Sequence, residues 1–124
     1  MNLVDSSGWL EYLSDGKNAG KFAPAIQKTD ELIISPINIY EVYKKILSGK
    51  DENTANQVLG LMNQAKIIDV DFSISMQAAK LSIDKKIPMA DSIIYITALQ
   101  NNAVVWTQDY DFKKLDGVKF FKKN

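Results

Sequence analysis

The chain alternates short, β-branched apolar runs with longer stretches of helical periodicity, and that alternation restricts it to few architectures. The short runs fall at Asn2–Asp5, Glu31–Pro36, Lys66–Val70 and Ala103–Thr107, with a last candidate edge strand at Val118–Phe121. Between them, apolar residues recur at helical spacing. The pattern predicts helices over Ser7–Ser14, Lys21–Lys28, Ile37–Leu47, Asn53–Gln64, Ser73–Lys85 and Pro88–Asn101, and a short helical turn over Phe112–Leu115. Ser6 or Ser7 is placed to cap the first helix, and Pro88 suits a first helical turn. Strands joined through helices pair in parallel and need helices on both faces. The expected fold is α/β: a three-layer α/β/α sandwich with a central, mostly parallel sheet, as one domain over residues 1–124. Right-handed crossovers align the carboxyl ends of such strands along one edge, and that edge is where ligands bind.

Composition narrows the chemistry. The sequence has 15 Lys+Arg, all of them lysine, against 15 Asp+Glu, so the net charge is zero. A neutral chain is no bulk polyanion binder; nucleic-acid contact has to come from a local patch. With no Cys, there is no disulfide framework, thiolate zinc site or cysteine nucleophile. With no His, triads, His-ligated zinc and histidine general bases are excluded as well. Any catalysis rests on carboxylates, lysines, hydroxyls or a metal held by oxygen. No apolar run approaches the ~18 residues of a membrane span. Met1–Leu13 carries acids and no basic flank, unlike a signal peptide, so a soluble, cytoplasmic protein is expected.

Four acids from separate segments can meet at the ligand-binding edge. Asp5 ends the first strand, Asp109 follows the fourth, Glu41 sits in the first turns of the helix after the second, and Asp91 starts the helix before the fourth. Each also has a purely structural role open to it. Asp5 can cap a helix. Glu41 can pair with Lys45, although its neighbours Ile39, Tyr40, Val42 and Tyr43 are nearly all apolar. Asp91 can favour a helix N-terminus, yet it shares a face with Ile94, Tyr95 and Ala98 and so points inward. Asp109 and Asp111 can be turn residues. If the four converge, their repulsion raises their pKa values. A divalent cation relieves it, and oxygen ligands without His or Cys select Mg²⁺ or Mn²⁺. Phosphodiester hydrolysis is the reaction that such a site suits.

Four segments resemble a PIN domain, and within it the VapC-type ribonuclease toxins of toxin–antitoxin pairs. They are Asn2–Tyr12 (NLVDSSGWLEY), Ser35–Val42 (SPINIYEV), Met89–Ile94 (MADSII) and Thr107–Phe112 (TQDYDF). The resemblance implies a PIN-like fold and a metal-dependent endoribonuclease, the toxin of its pair, with Mg²⁺ or Mn²⁺ as cofactor. It implies Asp5, Glu41, Asp91 and Asp109 as the catalytic quartet, and Asp5, Asp91 and Asp109 as metal ligands. Ser6 and Thr107 match hydroxyl positions lining the site, and Asp111 is an auxiliary acid. It further implies an RNA substrate, a cognate antitoxin and a homodimer. One departure is Gln108, where many relatives place Arg. Backbone contacts to RNA then fall to lysines, which act as point charges rather than bidentate forks.

Lys113, Lys114, Lys119, Lys122 and Lys123 crowd one end of the sequence, and Lys44, Lys45 and Lys50 follow Glu41. They fit an RNA-facing patch or ordinary solvated surface. Trp9, Tyr12, Phe22 and Tyr43 fall on apolar helix faces, which favours packing over base stacking; Trp106, inside a strand, is expected to be buried. Two other readings remain at this point. One is a different Mg²⁺-dependent phosphoryl-transfer protein of the same fold class, with Asp69 and Asp71 imitating a receiver domain's acids. The other is a catalytically inactive PIN-like module that binds RNA or protein.

Overall fold

The structure, a computed structural model, describes residues 1–123. Its strands are β1 (Asn2–Val4), β2 (Leu32–Ile34), β3 (Lys66–Ile67), β4 (Val104–Thr107) and β5 (Val118–Phe120), and they form one sheet of order β3-β2-β1-β4-β5 with every pairing parallel. Six helices connect them: α1 (Ser6–Leu13), α2 (Ala19–Gln27), α3 (Pro36–Gly49), α4 (Glu52–Met62), α5 (Phe72–Lys85) and α6 (Met89–Gln100). The order departs from sequence order at β1. The chain moves outward on one side to β2 and β3, then crosses back through α5 and α6 to place β4 against β1's other side. That reversal is the switch point at which open parallel sheets bind ligands.

The central strands β1 and β2 are buried on both faces, and period-2 alternation divides their side chains between two cores. Leu3, Ile33 and Val105 pack with Ile74, Ala78, Ile94 and Ile96 of α5 and α6. Val4, Leu32 and Ile34 pack with Trp9, Phe22, Ala25, Val42 and Met62 from α1 to α4. The result is the three-layer sandwich that the sequence pattern predicts. Trp9 and Phe22 are fully buried, and Tyr12 and Tyr43 half-buried. Trp106 differs from expectation. It is half-exposed, because its indole N–H donates to Asn2 Oδ1 at 2.9 Å and Lys119 lies 4.2 Å above its ring.

Local boundaries differ where a side chain captures a backbone group. The cap of α1 is Asp5, rather than Ser6 or Ser7: its carboxylate accepts from the Gly8 N–H at 2.9 Å. The helical turn expected at Phe112 begins at Tyr110, since Asp109 accepts from the Asp111 N–H at 2.9 Å. β3 stops at Ile67, three residues early, because it is an edge strand and Asp71 already caps α5 through the Ile74 N–H. That cap accounts for Asp71, and Asp69 is exposed at the sheet edge, away from the switch point.

Gly8 lets α1 lie against the sheet. A Cβ built there would sit 2.6 Å from Val4 Cγ1 and 2.7 Å from Phe22 Cε1. In an exposed helix, Gly→Ala is stabilising by about 1 kcal/mol. Here overpacking reverses the sign. We expect Gly8→Ala to lower stability by about 1–3 kcal/mol, measured by denaturant unfolding; an unchanged or raised midpoint would show that the contact relaxes freely.

Candidate active site

Asp5 leaves β1 at the switch point with only 2% of its surface exposed. Each of its carboxylate oxygens is engaged. Oδ1 accepts from Gly8 N at 2.9 Å and Ser7 Oγ at 2.8 Å, and Oδ2 accepts from Thr107 Oγ1 at 2.7 Å. The Thr107 hydroxyl in turn accepts from the Asp109 N–H at 2.9 Å. The Asp5 N–H donates to Trp106 O at 3.1 Å. One relay of hydrogen bonds thus locks the carboxyl ends of β1 and β4 together and presents Asp109 beside Asp5. Burial pushes the Asp5 carboxyl up to about 6, against the lowering effect of its donors, and the nearby Asp109 adds to the rise.

Asp91 enters from the first turn of α6. Its carboxyl is pushed up to about 7, first by burial and then by the charges of Asp109, Asp5, Asp111 and Glu41. Every other acid of the cluster therefore acts on Asp91. One oxygen from each of Asp91, Asp109 and Asp111 lies within 4.8 Å of the other two. That spacing fits a single hard cation, which 6–8 oxygen ligands surround for Ca²⁺ and an octahedron, part water, for Mg²⁺. Asp111, an auxiliary acid by resemblance, joins this group directly. Asp5 lies outside that triplet, beside Asp109.

Glu41, on α3, reaches the cluster by a different support. Its Oε1 accepts from Ser6 Oγ at 2.6 Å, and Ser6 Oγ accepts from Asn38 Nδ2 at 3.2 Å. Asn38 is fully buried and its Oδ1 accepts from the Ser35 N–H at 3.0 Å, closing the capping box of α3. Asn38 escaped the sequence reading, although Ser35 followed at the third position by Asn38 is a capping pattern that marks it. Gln108 escaped too. It is buried, with Oε1 accepting from Asn18 Nδ2 at 2.9 Å, so it joins the chain after β4 to the loop before α2.

Fold and site together define an open parallel α/β domain carrying a carboxylate cluster at its switch point. The profile of the PIN domain matches residues 3–118, and the chain belongs to that family. Solved structures share the fold at low identity. A toxin–antitoxin complex from Klebsiella pneumoniae superposes with TM-score 0.78 at 21% identity, covering 96% of each chain. VapC20 of Mycobacterium tuberculosis, described as a toxin cleaving the sarcin–ricin loop, gives 0.78 at 13%, covering 95% of this chain and 97% of its own. VapBC2 of Rickettsia felis, bound to a promoter DNA fragment, gives 0.74 at 15%, covering 97% and 96%. No curated protein matches the sequence.

The cluster has a stability signature. Asp5 and Asp91 hold protons in the folded chain up to about pH 6 and 7, well above the ordinary value of 3.8 that they regain on unfolding. Between about pH 4 and 7 the folded state binds more protons, so stability falls as pH rises through that window. In chelator, the melting temperature should drop from pH 5 to pH 8, and Mg²⁺ or Mn²⁺ should restore it at pH 8. A flat profile without cation rescue would mean that burial and repulsion do not raise these two carboxyls.

Proposed function

We propose that the protein is a metal-dependent endoribonuclease, the toxin of a toxin–antitoxin pair. The observation that carries this reading is the convergence on Asp91 of Asp5, Glu41, Asp109 and Asp111, the acids of the sequence pattern, at the ligand edge of a PIN fold. A capping or surface role for Glu41, Asp91 and Asp109 gives no reason for them to meet. An inactive binding module would not need to hold them together against repulsion either.

Asp91, Asp109 and Asp111 are spaced to hold the cation, and Asp5, locked beside Asp109, adds charge and a further oxygen. When bound, Mg²⁺ or Mn²⁺ supplies positive charge against the phosphoryl oxygens and activates water. The chain's own groups do the rest. Ser6 and Asn38 fix the Glu41 carboxylate, which can then orient water and accept its proton. Thr107 sets the position of Asp109 through its N–H. Burial of Asp5 limits its access to water, which strengthens its field at the site.

The same reading supplies the partners. RNA is the substrate and an antitoxin is the inhibitor; a structure that shares this fold is a toxin–antitoxin complex. Among the described residues no helix is long and apolar enough to cross a membrane, and an RNA target places the action in the cytoplasm. A homodimer also belongs to this reading. Exposed Phe72, Ile83 and Met89 on α5 and α6 offer a second copy apolar surface beside a 480 Å³ groove. Ile83→Glu should shift sedimentation toward the monomer; a wild type that sediments as a monomer would remove the dimer.

The decisive assay incubates purified protein with a mixed cellular RNA pool in Mg²⁺ or Mn²⁺, and in chelator. Discrete cleavage should require the cation. Asp91→Asn and Asp5→Asn should each reduce it at least about a hundredfold. Both variants should stay folded, since Asn keeps the α1 cap and each change removes a repelling charge. Cleavage that persists in Asp91→Asn or in chelator would sink the assignment.

A further inference from the structure

Large exposed aromatic side chains call for a reason, and two of the tyrosines stand next to the acids. Tyr40 is 62% exposed and precedes Glu41 on α3; Tyr110 is 54% exposed and lies between Asp109 and Asp111. α3 follows β2 and the Tyr110 turn follows β4, so the two sit on opposite sides of the β1 end that carries Asp5. Each has a lysine beside its ring, and Lys44 Nζ also donates to the Tyr40 hydroxyl at 3.5 Å. Lys44 Nζ is 5.5 Å from the Tyr40 centroid, and Lys113 Nζ is 5.6 Å from that of Tyr110.

The Tyr110 ring is supported by another ring, and Tyr40 by Lys44. Tyr110 rests against Phe120 of β5 with centroids 5.0 Å apart, and Lys113 also lies 5.4 Å over Phe120. Tyr40 lines a 310 Å³ groove along α3 with Glu41, Lys44, Lys45 and Ser48, and Glu41 is the acid of the cluster that the groove reaches. Among the described residues neither Lys44 nor Lys113 is in an ion pair. Their charge is free for an anion, and their ammonium groups hold the rings in place meanwhile.

We propose that Tyr40 and Tyr110 are base-stacking residues on either side of the scissile position, with Lys44 and Lys113 on the adjoining phosphates. This rests on the nuclease reading and adds to it how the strand is held. Exposed rings next to lone cations are the combination that single-stranded nucleic acid uses, because every base has a π-face and every linkage a charge. A chain without arginine has no guanidinium to stack or fork, so tyrosine is left to take the base and lysine the phosphate. Duplex RNA, whose bases are already stacked, has no use for these rings.

The test uses the full chain in an Asp91→Asn background with Mg²⁺, so that binding is read without turnover. The probe is a short, fluorescently labelled, mixed-sequence single-stranded RNA, with the duplex of the same sequence beside it. Tyr40→Ala and Tyr110→Ala should each weaken single-strand binding about tenfold, while Tyr40→Phe and Tyr110→Phe stay within about twofold. Duplex binding should not change. Alanine variants that bind like the parent would overturn the proposal, as would phenylalanine variants that lose as much as alanine. Pool cleavage by the protein with Asp91 intact separates the two levels. Cation-dependent cleavage together with unaffected alanine variants removes the stacking role alone. No cleavage and no binding removes both readings. Alanine variants that bind RNA normally but lose a coexpressed protein partner would reassign the tyrosines to that partner and overturn the proposal.

Discussion

The buried carboxylate of Asp5 is the interaction on which the rest of the site depends. A charge with 2% exposure is costly unless hydrogen bonds replace its water. Three donors do so, the Gly8 N–H and the Ser7 and Thr107 hydroxyls, and Thr107 in turn accepts from the Asp109 N–H. Each donor is also a structural joint. Gly8 lies in the first turn of α1, Thr107 ends β4, and Asp109 starts the turn that carries Asp111. One side chain therefore caps a helix, staples two parallel strands at the switch point and aims two further acids. Removing it would cost the fold as well as the chemistry, whereas asparagine can keep most of the joints.

The cluster around Asp91 works against the fold that holds it. Burial, then repulsion, raises the Asp91 and Asp5 carboxyls to about 7 and 6, so near neutral pH the chain without cation carries unfavourable charge or extra protons. The two cores on the faces of the sheet supply the stability that tolerates this. Where local preference and global fold disagree in an otherwise consistent chain, function is the usual reason. The disagreement here is confined to the carboxyl edge of β1 and β4, where Asp5, Asp91 and Asp109 meet, and a divalent cation is the ligand that would end it.

Much of the fold was legible because the apolar runs are short and β-branched and the helices between them are amphipathic. Those two periods suffice for a parallel sheet, and parallel strands with helical crossovers leave one edge for a site. The four acids were legible for the same reason: each lies at the carboxyl end of a strand or the start of a helix. Asn38 was not, because it acts through geometry that only tertiary packing supplies; a buried amide bridging Ser6 and Ser35 looks like any helix-start polar residue. Asp111 looked auxiliary because strand endings say nothing of a turn's direction. The Asp109 cap turns the chain so that Asp111 comes back toward Asp91. Trp106 read as core, since strand membership does not reveal that its edge is left to a lysine and an asparagine.

The absence of arginine and histidine shapes the whole site. Without histidine, no side chain has an unperturbed pKa near neutrality, and the chain brings two carboxyls there by burial and mutual repulsion instead. Without arginine, no side chain binds a phosphate in a fixed bidentate geometry. Direction has to come from elsewhere, and rings held by lysines beside the acids are the rigid, exposed elements at hand. Lysine charge alone would attract a nucleic acid without fixing its register. Gln108 is turned inward to Asn18 and serves the fold. On the proposed reading, the duty of placing a strand over Asp91 moves outward from the sheet edge to the two flanks, α3 and the turn before β5.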